Sequence, residues 1–171
     1  MQLHGIIVPA VTPMMAGEDV DLVRLRATLD RLLAAGVHGL FVLGTTGEFF
    51  ALDPAEKQAI VAETVALAAK RVPVIAGTGA ETTREAIRLT QMAEREGADA
   101  VAVITPYFIS PTQQEMYDHF RRVAESTRLP VLLYANPSMT GGVKLDLDTI
   151  VRTAWQWHRT HPGGFGATAH P

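Results

Sequence analysis

Five short apolar runs, at residues 5–9, 39–43, 73–76, 100–104 and 130–134, recur roughly every thirty residues along this chain. None of them alternates polar with apolar. A strand with one wet face alternates, whereas a strand buried on both faces reads as a continuous apolar run and belongs to a parallel sheet covered by helices. The runs are rich in Val, Ile and Leu, as such strands are. This one pattern restricts the chain to an α/β architecture.

The intervening segments read as helices. Leu22, Leu25, Leu29, Leu32 and Leu33 recur at helical spacing, and Gly36 closes that helix. Asp53-Pro54-Ala55-Glu56 is an N-cap, a first-turn proline and a first-turn acid, opening a helix that runs to about Lys70. Thr82 to Glu85 and Thr112 to Glu115 are capping boxes. The first opens a helix ending near Gly97; the second opens one that places Met116, Phe120, Val123, Ala124 and Thr127 on one face. A fifth helix is expected over 146–154, with Leu147, Ile150 and Val151 inward.

Five such units fit either an open doubly wound sheet or part of a (β/α)8 TIM barrel. Polar, glycine-rich or aromatic residues stand just past several strand ends: Thr45 and Thr46, 77–79, 105–108 and 134–136. Barrel active sites are built at those ends, so the expectation is an incomplete barrel of five βα units. Its two open edges would need a partner or a dimer to cover them. The domain reading is 1–154 as the N-terminal part of the barrel and 155–171 as an atypical tail. That tail holds both tryptophans, three of the six histidines and a run of Pro and Gly, and reads either as frameshifted sequence or as a disordered terminus.

A net charge of −3 is no nucleic-acid footprint and gives no reason for a membrane surface. There is no cysteine, hence no disulfide and no thiolate metal site. His158 and His161 lack a third ligand at clear spacing, so no metal is expected. The first residues lack a basic n-region and a long apolar core, and no run reaches spanning length. The expectation is a cytoplasmic protein.

The stretch Phe41-Val42-Leu43-Gly44-Thr45-Thr46-Gly47-Glu48 ends an apolar run in a hydroxyl-rich turn. Hydrogen bonds to a charged group are worth about 1.5–3 kcal/mol each, so such a turn suits a small carboxylate; the plainer reading is a strand-to-loop turn. Gly77-Thr78-Gly79 lacks the third glycine of a dinucleotide fingerprint and reads as a packing turn.

Taken in order, the stretches at 5–13, 44–48 (GTTGE), 73–79, 105–108 (TPYF) and 134–137 (YANP) resemble the dihydrodipicolinate synthase / N-acetylneuraminate lyase family of class I aldolases. The resemblance covers residues 1 to about 154, the first half of the usual chain. It implies a TIM barrel, a homo-oligomeric full-length relative and a lyase without cofactor or metal. The chemistry implied is a Schiff base between a lysine and pyruvate or a 2-oxo acid, the iminium acting as an electron sink. Thr45 and Thr46 would hold the substrate carboxylate, and Tyr134 would shuttle protons. Tyr107 could line the rim.

Three departures from the resemblance stand out. The Schiff-base lysine is absent: the only lysines are Lys57, Lys70 and Lys144, none at the place implied for it. Phe108 stands where the synthases carry a relay tyrosine, and has no hydroxyl. Met139 stands where they carry an arginine for the second substrate's carboxylate. The reading is therefore a broad 2-oxo-acid aldolase, lyase or dehydratase whose catalysis this chain lacks. The alternatives are a non-catalytic pyruvate-binding or interaction module and a phosphate-binding barrel enzyme.

Overall fold

The computed structural model describes residues 3–160. It contains β1 (Ile7–Pro9), α1 (Leu22–Ala34), β2 (Gly39–Val42), α2 (Pro54–Ala68), β3 (Val74–Gly77), α3 (Thr83–Arg95), β4 (Ala100–Ile104), α4 (Gln113–Ala124), β5 (Val131–Tyr134) and α5 (Leu147–Thr160). The five strands form one sheet in the order β1-β2-β3-β4-β5, and every pairing is parallel. A doubly wound sheet reverses its strand order at a switch point. Here the order never reverses, so the sheet is an arc of a (β/α)8 barrel.

The two faces of the arc bury different residues. Leu40, Val42, Val74, Ala76, Val101 and Val103 face the helices and join the main core. On the other face Ile75, Ala100 and Ala102 are buried, with Ile7, Phe41 and Leu132 only partly so. The inner cluster is the smaller because, among the described residues, no strand faces it from across the barrel.

Helix ends follow the local chemistry. Asp53 and Thr112 close reciprocal capping boxes with Glu56 and Glu115. Thr82 caps α3 through the Glu85 amide, but that box is only half made, because the Glu85 carboxylate turns to Arg88 at 3.0 Å. Helix α2 stops at Ala68, short of Lys70, where Ala69 and Lys70 take positive φ. Thr127 lies beyond the end of α4 and donates to Glu94 at 2.7 Å. That bond, ahead of those from Arg128, holds the Glu94 carboxyl below its usual range.

His119 packs at the α3–α4 contact, 4% exposed, with Nδ1 3.0 Å from the Thr83 hydroxyl and Nε2 buried without a partner. Burial first, then the Arg122 charge, depress its pKa to about 4.

The fifth helix corrects the sequence expectation. It continues through Thr160, six residues past 154, and Leu147, Ile150 and Val151 are 75, 42 and 54% exposed rather than inward. Gln113 ties its start to α4, accepting from the Asp146 amide at 3.0 Å and donating to the Lys144 carbonyl at 2.8 Å. Arg152 lies 4.4 Å from the centre of the Tyr117 ring. In a barrel the next helix would cover the remaining apolar stripe, and none follows among the described residues. The expectations for residues 161–171 lie outside the described residues.

Candidate functional site

The site is built where β2 ends. Leu43, expected as the last strand residue, leaves the strand with φ +57 while its side chain stays 2% exposed. A bulky residue in that region costs about 1–3 kcal/mol and persists only where the surroundings enforce it. Two constraints do so. The Leu43 side chain is locked in the main core, and its carbonyl lies so close to Gly77 that a Cβ there would collide with it. The other glycine of that turn is equally constrained, since a Cβ on Gly79 would meet the Ile104 side chain and its backbone nitrogen at 2.8 Å. The 77–79 segment is thus a close-packing turn.

After Leu43 the chain winds into a single 3-10 turn, Thr45–Gly47. The Thr12 hydroxyl, reaching over from the segment after β1, donates to the Gly47 carbonyl at 2.7 Å and fixes the turn from outside. Thr45 is thereby turned toward the end of β5, and its Oγ1 lies 3.3 Å from the Tyr134 hydroxyl. Tyr134 is also held from below by Phe41, edge-on with ring centres 6.3 Å apart.

Asn136 is the third partner of Tyr134. Ser138 Oγ donates to Asn136 Oδ1 at 2.7 Å, which leaves the Asn136 amide nitrogen to donate to Tyr134 Oη at 3.1 Å. A phenol that accepts from Asn136 keeps its own proton free. Between Tyr134 and Thr45 either hydroxyl can be the donor. Phe41, Leu43, Gly44, Thr45, Gly77 and Tyr134 line a small cavity of about 10 Å³ here, close to the space of a single water molecule.

The other residues singled out from the sequence fall in different places. Thr46 sits in the same turn with its side chain exposed. Tyr107 is half-buried, its ring edge-on to Phe49 at 5.8 Å. Burial first, then a hydrogen bond with Glu81, push its phenol above the usual range. Phe108 takes the outer position, 97% exposed with φ +72, and Met139 is 56% exposed. Lys70 is paired with Asp99 at 3.0 Å, on the opposite, N-terminal end of the sheet. Lys57 lies on α2 and Lys144 is exposed before α5. Among the described residues no group of three His, Cys, Asp or Glu is placed to hold a metal.

Comparison with known proteins bears on this arrangement. The model of the Dihydrodipicolinate synthetase family matches residues 2–155. The chain belongs to that family. Within it, the 4-hydroxy-tetrahydrodipicolinate synthase of Alcanivorax borkumensis is 46% identical over 138 residues, 81% of this chain and 47% of the relative. That of Ralstonia nicotianae is 42% identical over 153 residues, 90% of this chain and 52% of the relative. Among solved members, the chloride-inhibited dihydrodipicolinate synthase from Acinetobacter baumannii, complexed with pyruvate, superposes with a TM-score of 0.86 at 42% identity, covering 90% of this chain and 52% of that one. A prophage protein of the family from E. coli K12, in complex with pyruvate, gives 0.85 at 39% identity, covering 89% and 51%. These family structures are TIM barrels, and this chain spans about half the length of the curated relatives it matches.

Sequence reasoning missed three contributors to the site. Thr12 lies in a quoted motif, and its only signal was a hydroxyl just past a strand. Asn136 had only its neighbourhood to Tyr134. Nothing local marks the backbone of Leu43, because what bends it is Gly77, thirty-four positions away in sequence.

Proposed function

We propose that this chain carries the 2-oxo-acid-binding half of a Schiff-base-forming lyase. The reading rests on the 3.3 Å approach of the Thr45 and Tyr134 hydroxyls across the end of the sheet. A pyruvate carboxylate would take hydrogen bonds from Thr45, and from the Thr46 amide at the start of the 3-10 turn, where N–H groups have no helical partner. Tyr134, its proton left free by the Asn136 amide, would give and take protons at the carbonyl carbon's oxygen. The pyruvate complexes of the A. baumannii and E. coli proteins support the choice of ligand.

The amine is the piece this half does not provide. Lys70 is committed to Asp99, and we read neither Lys57 nor Lys144 as the nucleophile. On this reading the chain alone binds pyruvate without forming an imine. Phe108 and Met139, lacking a relay hydroxyl and a carboxylate-pairing guanidinium, favour a broad lyase or dehydratase over the synthase itself. Incubation with pyruvate and borohydride, followed by intact-mass measurement, tests the reading. The expected result is saturable pyruvate binding with no mass increase. A reductively fixed three-carbon label on the chain would refute it.

A further inference from the structure

We propose that Asn136, held by Ser138, is a positioning residue for Tyr134, and that a hydrogen-bond donor at 136 keeps the phenol proton available to a 2-oxo acid. The inference rests on the pyruvate reading of the site and adds to it a residue that acts through Tyr134. Alternation along an extended chain puts positions 134 and 136 on one face. The Asn136 amide nitrogen reaches back to Tyr134 Oη at 3.1 Å, and Thr45 Oγ1 approaches the same oxygen at 3.3 Å. Phe41 stands edge-on to the ring, so the phenol is held by neighbours from two strand ends. A phenol has one proton to give. With the amide donating to Oη, that proton is left for the Thr45 oxygen or for a ligand oxygen.

The backbone at 136 is anchored without its own side chain. The Asn136 carbonyl accepts from the Met139 and Thr140 amides at 2.9 and 3.1 Å and from the Thr140 hydroxyl at 3.1 Å. The Gly142 amide donates to the Pro137 carbonyl at 2.8 Å. Thr140 is buried, and Val143 beyond it joins the main core. The turn after β5 is thus closed by main-chain bonds and by Thr140, which a change of the Asn136 side chain leaves in place. That side chain, half-buried, has two partners of its own. Its Oδ1 accepts from the hydroxyl of exposed Ser138 at 2.7 Å, and its nitrogen faces the phenol. Ser138 on the oxygen holds the amide plane with its donor toward Tyr134.

Pyruvate affinity by calorimetry and the carbon NMR signal of Tyr134 Cζ test the assignment together. The chain has three tyrosines, and Tyr134→Phe identifies the signal. Asn136→Leu keeps the bulk and removes the donor; it should weaken pyruvate binding roughly tenfold with circular dichroism unchanged. Ser138→Ala releases the amide and should weaken binding roughly threefold, whereas Ser138→Thr restores the hydroxyl and should bind as the wild type does. Asn136→Asp, read without pyruvate, turns the donor into a carboxylate acceptor. The phenol must then donate to it, and the Tyr134 Cζ signal should move toward its phenolate position. Wild-type affinity in Asn136→Leu would overturn the proposal, as would a Cζ signal that Asn136→Asp leaves unmoved. A wild-type chain that binds no pyruvate would instead refute the pyruvate reading, and the Cζ signal would then decide the positioning role by itself.

Discussion

Acid should loosen the α3–α4 contact through one side chain, His119. Its ring is 4% exposed, and Nε2 has no hydrogen-bond partner. The charge on Arg122 adds to the cost of protonation. The unfolded chain takes up a proton near the ordinary value of 6.5, whereas the folded one resists until about 4. A depressed folded value means that the unfolded state binds the proton first. The stability tied to neutral His119 is therefore complete above 6.5 and is lost as pH falls from there toward 4. Worked through the linkage relation, the loss is about 2 kcal/mol by about pH 5 and about 3 kcal/mol by about pH 4. Urea unfolding followed by circular dichroism, at about pH 7.5 and about pH 5, measures it. His119→Leu keeps an apolar side chain in place without a titrating group, so its stability should change little between the two conditions. The carboxyls of Glu94, Glu115 and Asp146 are held low by hydrogen bonds from Thr127, Thr112 and Thr149 respectively. Their contributions are present above the ordinary carboxylate range and fade only below it, outside the window compared. An equal loss in the wild type and the leucine variant would refute the assignment to His119.

Gly77→Ala should destabilise the chain by about 3 kcal/mol or more, since the new methyl meets the Leu43 carbonyl rather than a movable side chain; an unfolding midpoint close to wild type would count against the close approach. Thr45→Val keeps the shape of the turn but loses the hydroxyl beside Tyr134, and pyruvate affinity by calorimetry should fall roughly 10- to 100-fold. Gln113→Ala removes the bonds to Lys144, Asp146 and Thr149. It should speed amide exchange along α5 while leaving α1 to α4 as protected as before, and equal protection of α5 would show that Gln113 is not its anchor.

The sheet was legible because each strand carries its own signal. An apolar run needs no distant information, and Asp53 and Thr112 announce their helices within four residues. The candidate turn was legible as a turn for the same reason: Thr45, Thr46 and Tyr134 sit at strand ends, and a parallel sheet brings strand ends to one side. The approach of Thr45 to Tyr134 spans eighty-nine positions in sequence and depends on Leu43, Gly77 and Phe41, which act only once the strands are side by side. The error over Leu147, Ile150 and Val151 has another origin. Apolar spacing tells which face of a helix wants a neighbour, and not whether that neighbour is present. His119 was hidden because a histidine next to Asp118, with Arg121 and Arg122 close behind, reads as surface until α3 is laid against it.

The proline at the far rim of β1 makes the two sides of the arc unequal. A copy of this chain seeking to stack β5 against another's β1 would find one amide donor, at Ile7, where a regular ladder needs two. End-to-end growth of such arcs into a filament is therefore frustrated at every junction, because each new contact would start one hydrogen bond short.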